Sequence, residues 1–458
     1  MNWPITLLAS ICIGKSFGQM IIPLHGHTIN LQKRGVNVNL YNLQDVFLLG
    51  EIEVANKTFN LVFDTGSADF FVKNEICTLG SSSNILTDTS CKNIEGLNTT
   101  SSLLSRITIP QPVNLLYHSG SAIADVYSTA VKFGTVTIPE MVIGVGNKLR
   151  KLEYFDGIVG LGFPSRSQIG QALENPTFNR YYLKWNFIDN MFKQMAGQIS
   201  EYQFGIYVSN SDNYEDSEIA IGGKNPLKYK GFPKTFFTVT DPGSVWAIDS
   251  NPWTIQVLDV SMPRPLANNR TIVSIDTGSS AIFLHNKTAH IINAQLGATF
   301  NVTDGRDYFP DCNVTDKHDV VLKANGFTFN IPPRNLYVPD FNNRTRCLSA
   351  IVRTEDTKPV VLGIAFLRSY YSVYTLGSKP SITFYDSIHD LNYGIQVLKQ
   401  HIESLELQIQ VRNKFQFLFP EDGSFDFVED VEKKLEDYRN RLKIHELRMK
   451  SASLKLSL

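Results

Sequence analysis

A surplus of charge of either sign is missing from this sequence: 43 Lys and Arg stand against 44 Asp and Glu, leaving 458 residues at a net charge of −1. That balance gives no argument for nucleic acid or an anionic membrane surface as a partner. Long apolar runs are missing too. The run Ile5 to Ile13 is too short for a membrane span and, ending near Ser16-Phe17-Gly18, suits a signal peptide over residues 1–18. No later stretch is long and apolar enough to span. Cysteine is scarce. Of five, Cys12 falls in the leader, leaving Cys77, Cys91, Cys312 and Cys347. Neither a Cys-x-x-Cys nor a His pair accompanies them, so no metal is expected. An even set in an exported chain points to two disulfides, and pairing Cys77 with Cys91 and Cys312 with Cys347 is the simplest of the three connectivities.

What is present describes a foldable chain with more than one core. The hydrophobic share is 43% and the charged share 19%, and the length exceeds the size at which a single core stops growing. With 29 Phe and 18 Tyr beside many Val, Ile and Thr runs, strands are favoured over helices. Asn-x-Thr sequons at Asn56, Asn98, Asn269, Asn286, Asn301, Asn313 and Asn343 fit a glycosylated secretory protein, with Asn286 expected to be buried and unmodified.

One phrase occurs twice: Phe63-Asp64-Thr65-Gly66-Ser67 and Ile275-Asp276-Thr277-Gly278-Ser279, spaced 276 − 64 = 212 positions apart. Each follows an apolar run and precedes another, so each Asp sits where a buried strand enters a turn. A single Asp-Thr-Gly is an ordinary strand-ending turn. Two in the same frame indicate related halves that each deliver a carboxylate from a rigid bend. Two carboxylates brought together cannot both ionise easily, so the pair can serve as acid and base at once.

On these residues the chain resembles the pepsin-like, two-lobed aspartic endopeptidases, whose shared-proton dyad is a standard case of such coupling. The resemblance covers roughly Val46 to Tyr385. It implies an all-β, bilobal acid-protease fold of two related barrel-like lobes with a cleft between them. Asp64 and Asp276 would be the catalytic pair, acting on polypeptide substrates through activated water, without a metal or organic cofactor. Thr65 and Thr277 would link the turns, Ser67 and Ser279 would hydrogen-bond the carboxylates, and Gly66 and Gly278 would complete the bends. The resemblance supports the pairing Cys77–Cys91 and Cys312–Cys347 and a secreted or lysosomal location. Asp156-Gly157-Ile158-Val159-Gly160-Leu161-Gly162 and Val360-Val361-Leu362-Gly363-Ile364-Ala365-Phe366 match the family's paired segments behind the two turns. Tyr117-His118-Ser119-Gly120-Ser121, starting 117 − 64 = 53 positions after the first Asp, resembles the flap that closes over substrate, with Gly120 serving its tight turn.

Three residues depart from the family pattern. Phe71 stands where a Trp usually donates its indole N–H to the flap tyrosine, so that tether is lost. His118 replaces a flap Gly and could titrate above the dyad. Ile364 replaces a frequent Asp. These departures suit the competing expectation, a binding protein of the same fold without turnover. Five stretches are expected: the signal, 1–18; a short prosegment remnant, 19–45; an N-terminal lobe, 46–225; a C-terminal lobe, 226–386; and a helical extension, 387–458. In the extension Leu391, Ile395, Leu398, Ile402, Leu405 and Ile409, then Val428, Val431, Leu435, Tyr438 and Leu442, repeat at spacings of four and three, as heptad seams do. A helical hairpin that packs on the body or self-associates is the expectation there.

Overall fold

The computed structural model describes residues 36–389 apart from 44–46, 80–88, 91–95, 118–119, 153–154, 175–184, 197–198, 200, 210–216, 227, 239–245, 251–252, 267–271, 314–316 and 340–345, with five positions of the C-terminal tail. The fold is the bilobal, mostly β arrangement expected. One sheet is shared by both halves. From the second half come Tyr229–Phe237, Ser381–Ser387 and Tyr370–Thr375; Gln203–Tyr207, Ser217–Ile221 and Val36–Leu43 follow from the first. The halves meet where Gln203–Tyr207 lies antiparallel to Tyr370–Thr375, with Gln203 opposite Thr375 and Ile206 opposite Ser372.

Within the stretch read as a short prosegment remnant, Val36–Leu43 is a strand of the shared sheet. This strand pairs with Ser217–Ile221 on one side and Phe47–Val54 on the other. Its sequence alternates, Val36-Asn37-Val38-Asn39-Leu40, and Val38 and Leu40 are buried in the core. A tight hairpin then joins Phe47–Val54 to Lys57–Asp64. Ala55 and Asn56 take φ of 50° and 66°, the left-handed pair that matches strand twist.

The duplication seen in sequence is a duplication of register. Lys57–Asp64 runs parallel to Gly157–Gly160, with Gly160 opposite Asp64. In the second half Ile272–Ile275 runs parallel to Val360–Leu362, with Ile275 opposite Leu362. After each turn the chain returns antiparallel to that same partner, placing Phe70 opposite Val159 and Ile282 opposite Leu362. Each Asp-bearing turn is thus gripped from two sides by one short buried strand. Aromatic rings fill the space beneath the first turn: Phe63 lies 5.2 Å from Phe133 and 6.5 Å from Phe187, which itself stands 5.9 Å from Phe70. Each such pair contributes about 1 kcal/mol beyond its buried area.

Among the described residues of the body, four α-helices punctuate the strands: α1, Gln168–Leu173; α2, Phe187–Gln194; α3, Asn286–Gln295; and α4, Ile364–Leu367. Asn286 is exposed at the start of α3, contrary to the burial expected for it, because the inward face of the helix is Thr288, Ala289, Ile292 and Asn293. Cys312 and Cys347 are joined in a disulfide. Cys77 is disulfide-bonded as well, while its expected partner Cys91 lies outside the described residues. Most of the expected tail helices also lie outside them. Lys399, Ile402, Glu403, Glu406 and Arg439 are helical, and Ile402, a seam position, is buried. Arg439 pairs with Glu406 at 2.6 Å across the expected helical hairpin. That contact is within the chain, and nothing among the described residues supports self-association. Among the described residues no helix is long and apolar enough to cross a membrane.

Candidate active site

The two turns face each other across a nearly symmetric set of hydrogen bonds. The Thr65 N–H donates to Thr277 Oγ1 and the Thr277 N–H to Thr65 Oγ1, both at 3.0 Å. The Thr65 hydroxyl donates to the Ile275 carbonyl at 2.8 Å, and the Thr277 hydroxyl to that of Phe63 at 2.6 Å. All of this is buried, and an unpaired group there would cost about 1–3 kcal/mol. The lattice therefore fixes how the two halves meet.

Above it the two carboxylates stand close together, each against the glycine of the opposite turn. Asp64 Oδ1 accepts from Gly66 N at 2.7 Å and Oδ2 from Ser67 Oγ at 2.5 Å. Asp276 repeats this with Gly278 N at 2.8 Å and Ser279 Oγ at 2.7 Å. The glycines serve close approach: a Cβ on Gly66 would lie 2.5 Å from Asp276 Oδ1, and one on Gly278 would lie 2.4 Å from Asp64 Oδ1. Burial first, then the charge of Asp276, pushes Asp64 well above the usual carboxylate range, against the lowering effect of Ser67 and Gly66.

Three residues that sequence reading passed over support this arrangement. Trp246 donates its indole N–H to the Leu161 carbonyl at 2.9 Å, and its own carbonyl accepts from Ile275 N at 2.8 Å. Since Leu161 N–H donates to the Asp64 carbonyl at 2.8 Å, Trp246 ties both turns together. Asp69, five residues past Asp64, is buried and accepts from Ser167 Oγ at 2.6 Å, Gln168 N at 2.9 Å and Ile169 N at 3.0 Å. Burial nonetheless raises its carboxyl. The sequence signal was an acid inside the apolar frame Ala68-Asp69-Phe70-Phe71, where a charge needs a built set of donors. Gln168 is the third; it also contacts the flap.

The flap is the hairpin of Val113–Leu116 and Ser121–Phe133, closed by Tyr117 N–H donating to the Gly120 carbonyl at 2.9 Å. Its tip at His118 lies outside the described residues. Gly120 is required for close packing and not for a left-handed turn, since a Cβ there would lie 2.4 Å from the Arg150 carbonyl oxygen. The Tyr117 ring sits 5.8 Å from that of Phe71, and its hydroxyl is buried with no hydrogen-bond partner among the described residues, as loss of the indole donor implies. Burial, then Asp69 and Asp64, raises that hydroxyl far above its ordinary value, so it stays protonated. Ile364 is buried and donates its backbone N–H to Ser279 O at 2.8 Å, leaving only an aliphatic side chain behind the second turn.

Comparison with known proteins places the chain among relatives. The sequence is 28% identical over 356 residues to a probable vacuolar protease A of Trichophyton verrucosum, covering 75% of this chain and 79% of that one. It is 26% identical to renin of Canis lupus familiaris over 74% of this chain and 78% of that one. With pregnancy-associated glycoprotein 1 of Bos taurus the identity is 24%, over 81% and 91%. The crystal structure of an aspartic proteinase from Irpex lacteus shares the fold with a TM-score of 0.60 and 19% identity, over 77% of this chain and 97% of that one. Residues 49–384 match the model of the eukaryotic aspartyl protease family, and the chain belongs to that family.

Proposed function

We propose that this protein is an aspartic endopeptidase working at acidic pH, with Asp64 and Asp276 as its catalytic pair. The observation that carries the reading is the close approach of two carboxylates, each lying against the opposite turn and each braced by a Gly N–H and a Ser hydroxyl. The pair shares one proton, taken here to start on Asp64, whose carboxyl burial raises. A water held between them gives a proton to Asp276 as its oxygen attacks the scissile carbonyl carbon, while Asp64 protonates the carbonyl oxygen. As the resulting diol collapses, the C–N bond breaks and the leaving amine takes a proton from Asp276. The proton of the second hydroxyl returns to Asp64, restoring the starting state. Tyr117 walls the cleft from the flap.

Vacuolar protease A and renin among the relatives, the cysteine pairing and exposed sequons at Asn56, Asn98, Asn286 and Asn313 support a glycosylated enzyme of the secretory pathway. The test is cleavage of denatured haemoglobin from acidic to neutral pH, with and without pepstatin, beside Asp64→Asn. Pepstatin-sensitive cleavage is expected, reduced at least about a hundredfold in the variant. No cleavage by correctly folded protein at any pH would instead favour a binding protein of this fold.

A further inference from the structure

The flap strand Val113–Leu116 pairs with Ser121–Phe133 alone, so its other edge has no strand partner among the described residues. An unpaired edge presents both backbone groups of alternate residues outward. At Leu116, immediately before Tyr117, both groups are met by a single side chain. The Leu116 N–H donates to Gln168 Oε1 at 2.9 Å, and Gln168 Nε2 donates to the Leu116 carbonyl at 3.4 Å. A carboxamide carries a donor and an acceptor side by side and can stand in for one residue of a neighbouring strand.

The same glutamine is fastened to the first catalytic turn. Its backbone N–H donates to Asp69 Oδ2 at 2.9 Å, and Nε2 reaches the same oxygen at 3.4 Å. Asp69 is anchored in turn by Ser167 Oγ and Ile169 N, and Ser167 Oγ accepts from Gly170 N at 2.7 Å, so the base of the clamp cannot swing. The path from flap to dyad is short: Leu116, Gln168, Asp69, then five residues back to Asp64. The direct tether is absent, because Phe71 offers no donor and the Tyr117 hydroxyl is unpartnered among the described residues.

We propose that Gln168 is the positioning residue of the flap, clamping Leu116 to Asp69 so that Tyr117 is held at a fixed height over Asp64 without an indole tether. Gln168 touches neither reacting carboxylate and acts only through the flap's position. The proposal rests on the endopeptidase reading for its effect on turnover, but the clamp itself is a physical link that can be measured without turnover.

The experiment is hydrogen exchange of the full-length protein as wild type and Gln168→Met, followed by haemoglobin cleavage kinetics. Methionine keeps the length of the side chain and removes both hydrogen-bonding functions. Exchange in residues 113–117 is expected to rise about tenfold while that in 57–64 and 157–160 stays unchanged. KM is expected to rise about tenfold, the loss of one net hydrogen bond, with kcat changed less than about twofold. Gln168→Glu at a pH low enough to protonate it keeps a donor and an acceptor and is expected to restore slow exchange. Unchanged exchange in the flap strand of Gln168→Met would overturn the proposal whatever the activity. So would a uniform rise across the first lobe, which is what a merely structural role of α1 produces. Faster flap exchange in a protein that never cleaves haemoglobin would leave the clamp standing and remove the endopeptidase reading.

Discussion

The two Asp-bearing turns share a backbone and differ in what stands behind it. Each is gripped by a parallel strand in the same register, and each carboxylate accepts from its own Gly and Ser. Yet behind the first turn lies a buried acid, Asp69, with its collar of donors, whereas the position 212 residues on, 281 − 69 = 212, is Ala281. Ile364, also buried, adds nothing polar to the second. Asp64 is correspondingly the deeper member, 7% exposed, while Asp276 is half-buried. Hydrogen-bond register sets where two carboxylates meet, and unequal burial raises the carboxyl of Asp64.

The most damaging test of the shared backbone is a methyl group at either glycine. Gly66→Ala and Gly278→Ala each put a carbon within 2.5 Å of the opposite carboxylate, so both are expected to lower cleavage at least about a hundredfold. Similar losses in the two would uphold the symmetry, and a harmless substitution on one side would break it. Next in size is the threonine lattice. Thr65→Ala and Thr277→Ala each remove a buried hydroxyl that donates to a carbonyl and accepts from the opposite threonine's N–H, and each is expected to destabilise by about 2–4 kcal/mol in urea unfolding. A gap of more than about 1 kcal/mol between them would show that the lobes do not hold this interface equally.

The halves themselves were legible because the turn chemistry is local. Asp-Thr-Gly-Ser in an apolar frame declares a strand, a bend and a carboxylate within five residues, and its repetition declares the partner. Val36–Leu43 reads as part of a prosegment remnant although its apolar residues alternate, because one of the two strands it pairs with lies far along the chain, with Ser217 opposite Leu40 at 217 − 40 = 177 positions, and no local signal names it. Asp69 and Gln168 were hidden for a related reason. An acid in an apolar run is a warning that donors must exist, but Ser167 and Ile169 are 98 and 100 residues away. Gln168 looks like any helix-start residue until the flap edge is brought against it. Trp246 reads as core, and only the meeting of the lobes gives its indole the Leu161 carbonyl.

Where the lobes join, the comparison can be sharpened by titration. His389 bridges them: Nε2–H donates to the Arg368 carbonyl at 2.6 Å, and Nδ1 faces the Tyr207 hydroxyl at 2.8 Å. Burial, opposed by the Arg368 carbonyl, lowers the imidazole to about 4. A histidine held neutral in the fold gives its full stabilisation above its unfolded value of about 6.5 and loses it as pH falls toward about 4. His389→Gln keeps a donor and an acceptor without titrating. Over that window the wild type should lose roughly 2 kcal/mol more than the variant, read from urea midpoints.

Asp64 has the opposite sign, and it is the direct test of the asymmetry. Its carboxyl is raised in the fold, first by burial and then by Asp276, so its contribution is complete below the unfolded value of about 3.8 and is lost as pH rises through the higher folded one. Removing the charge by Asp64→Asn should therefore flatten the decline in stability on the neutral side while leaving the His389 loss on the acid side in place. The amide can still accept from Ser67 or Gly66, so the turn survives the change. Equal slopes in wild type and variant would mean that the proton is not held at Asp64. The polar collar behind the first turn would then be bracing the backbone without setting the charge state of the pair.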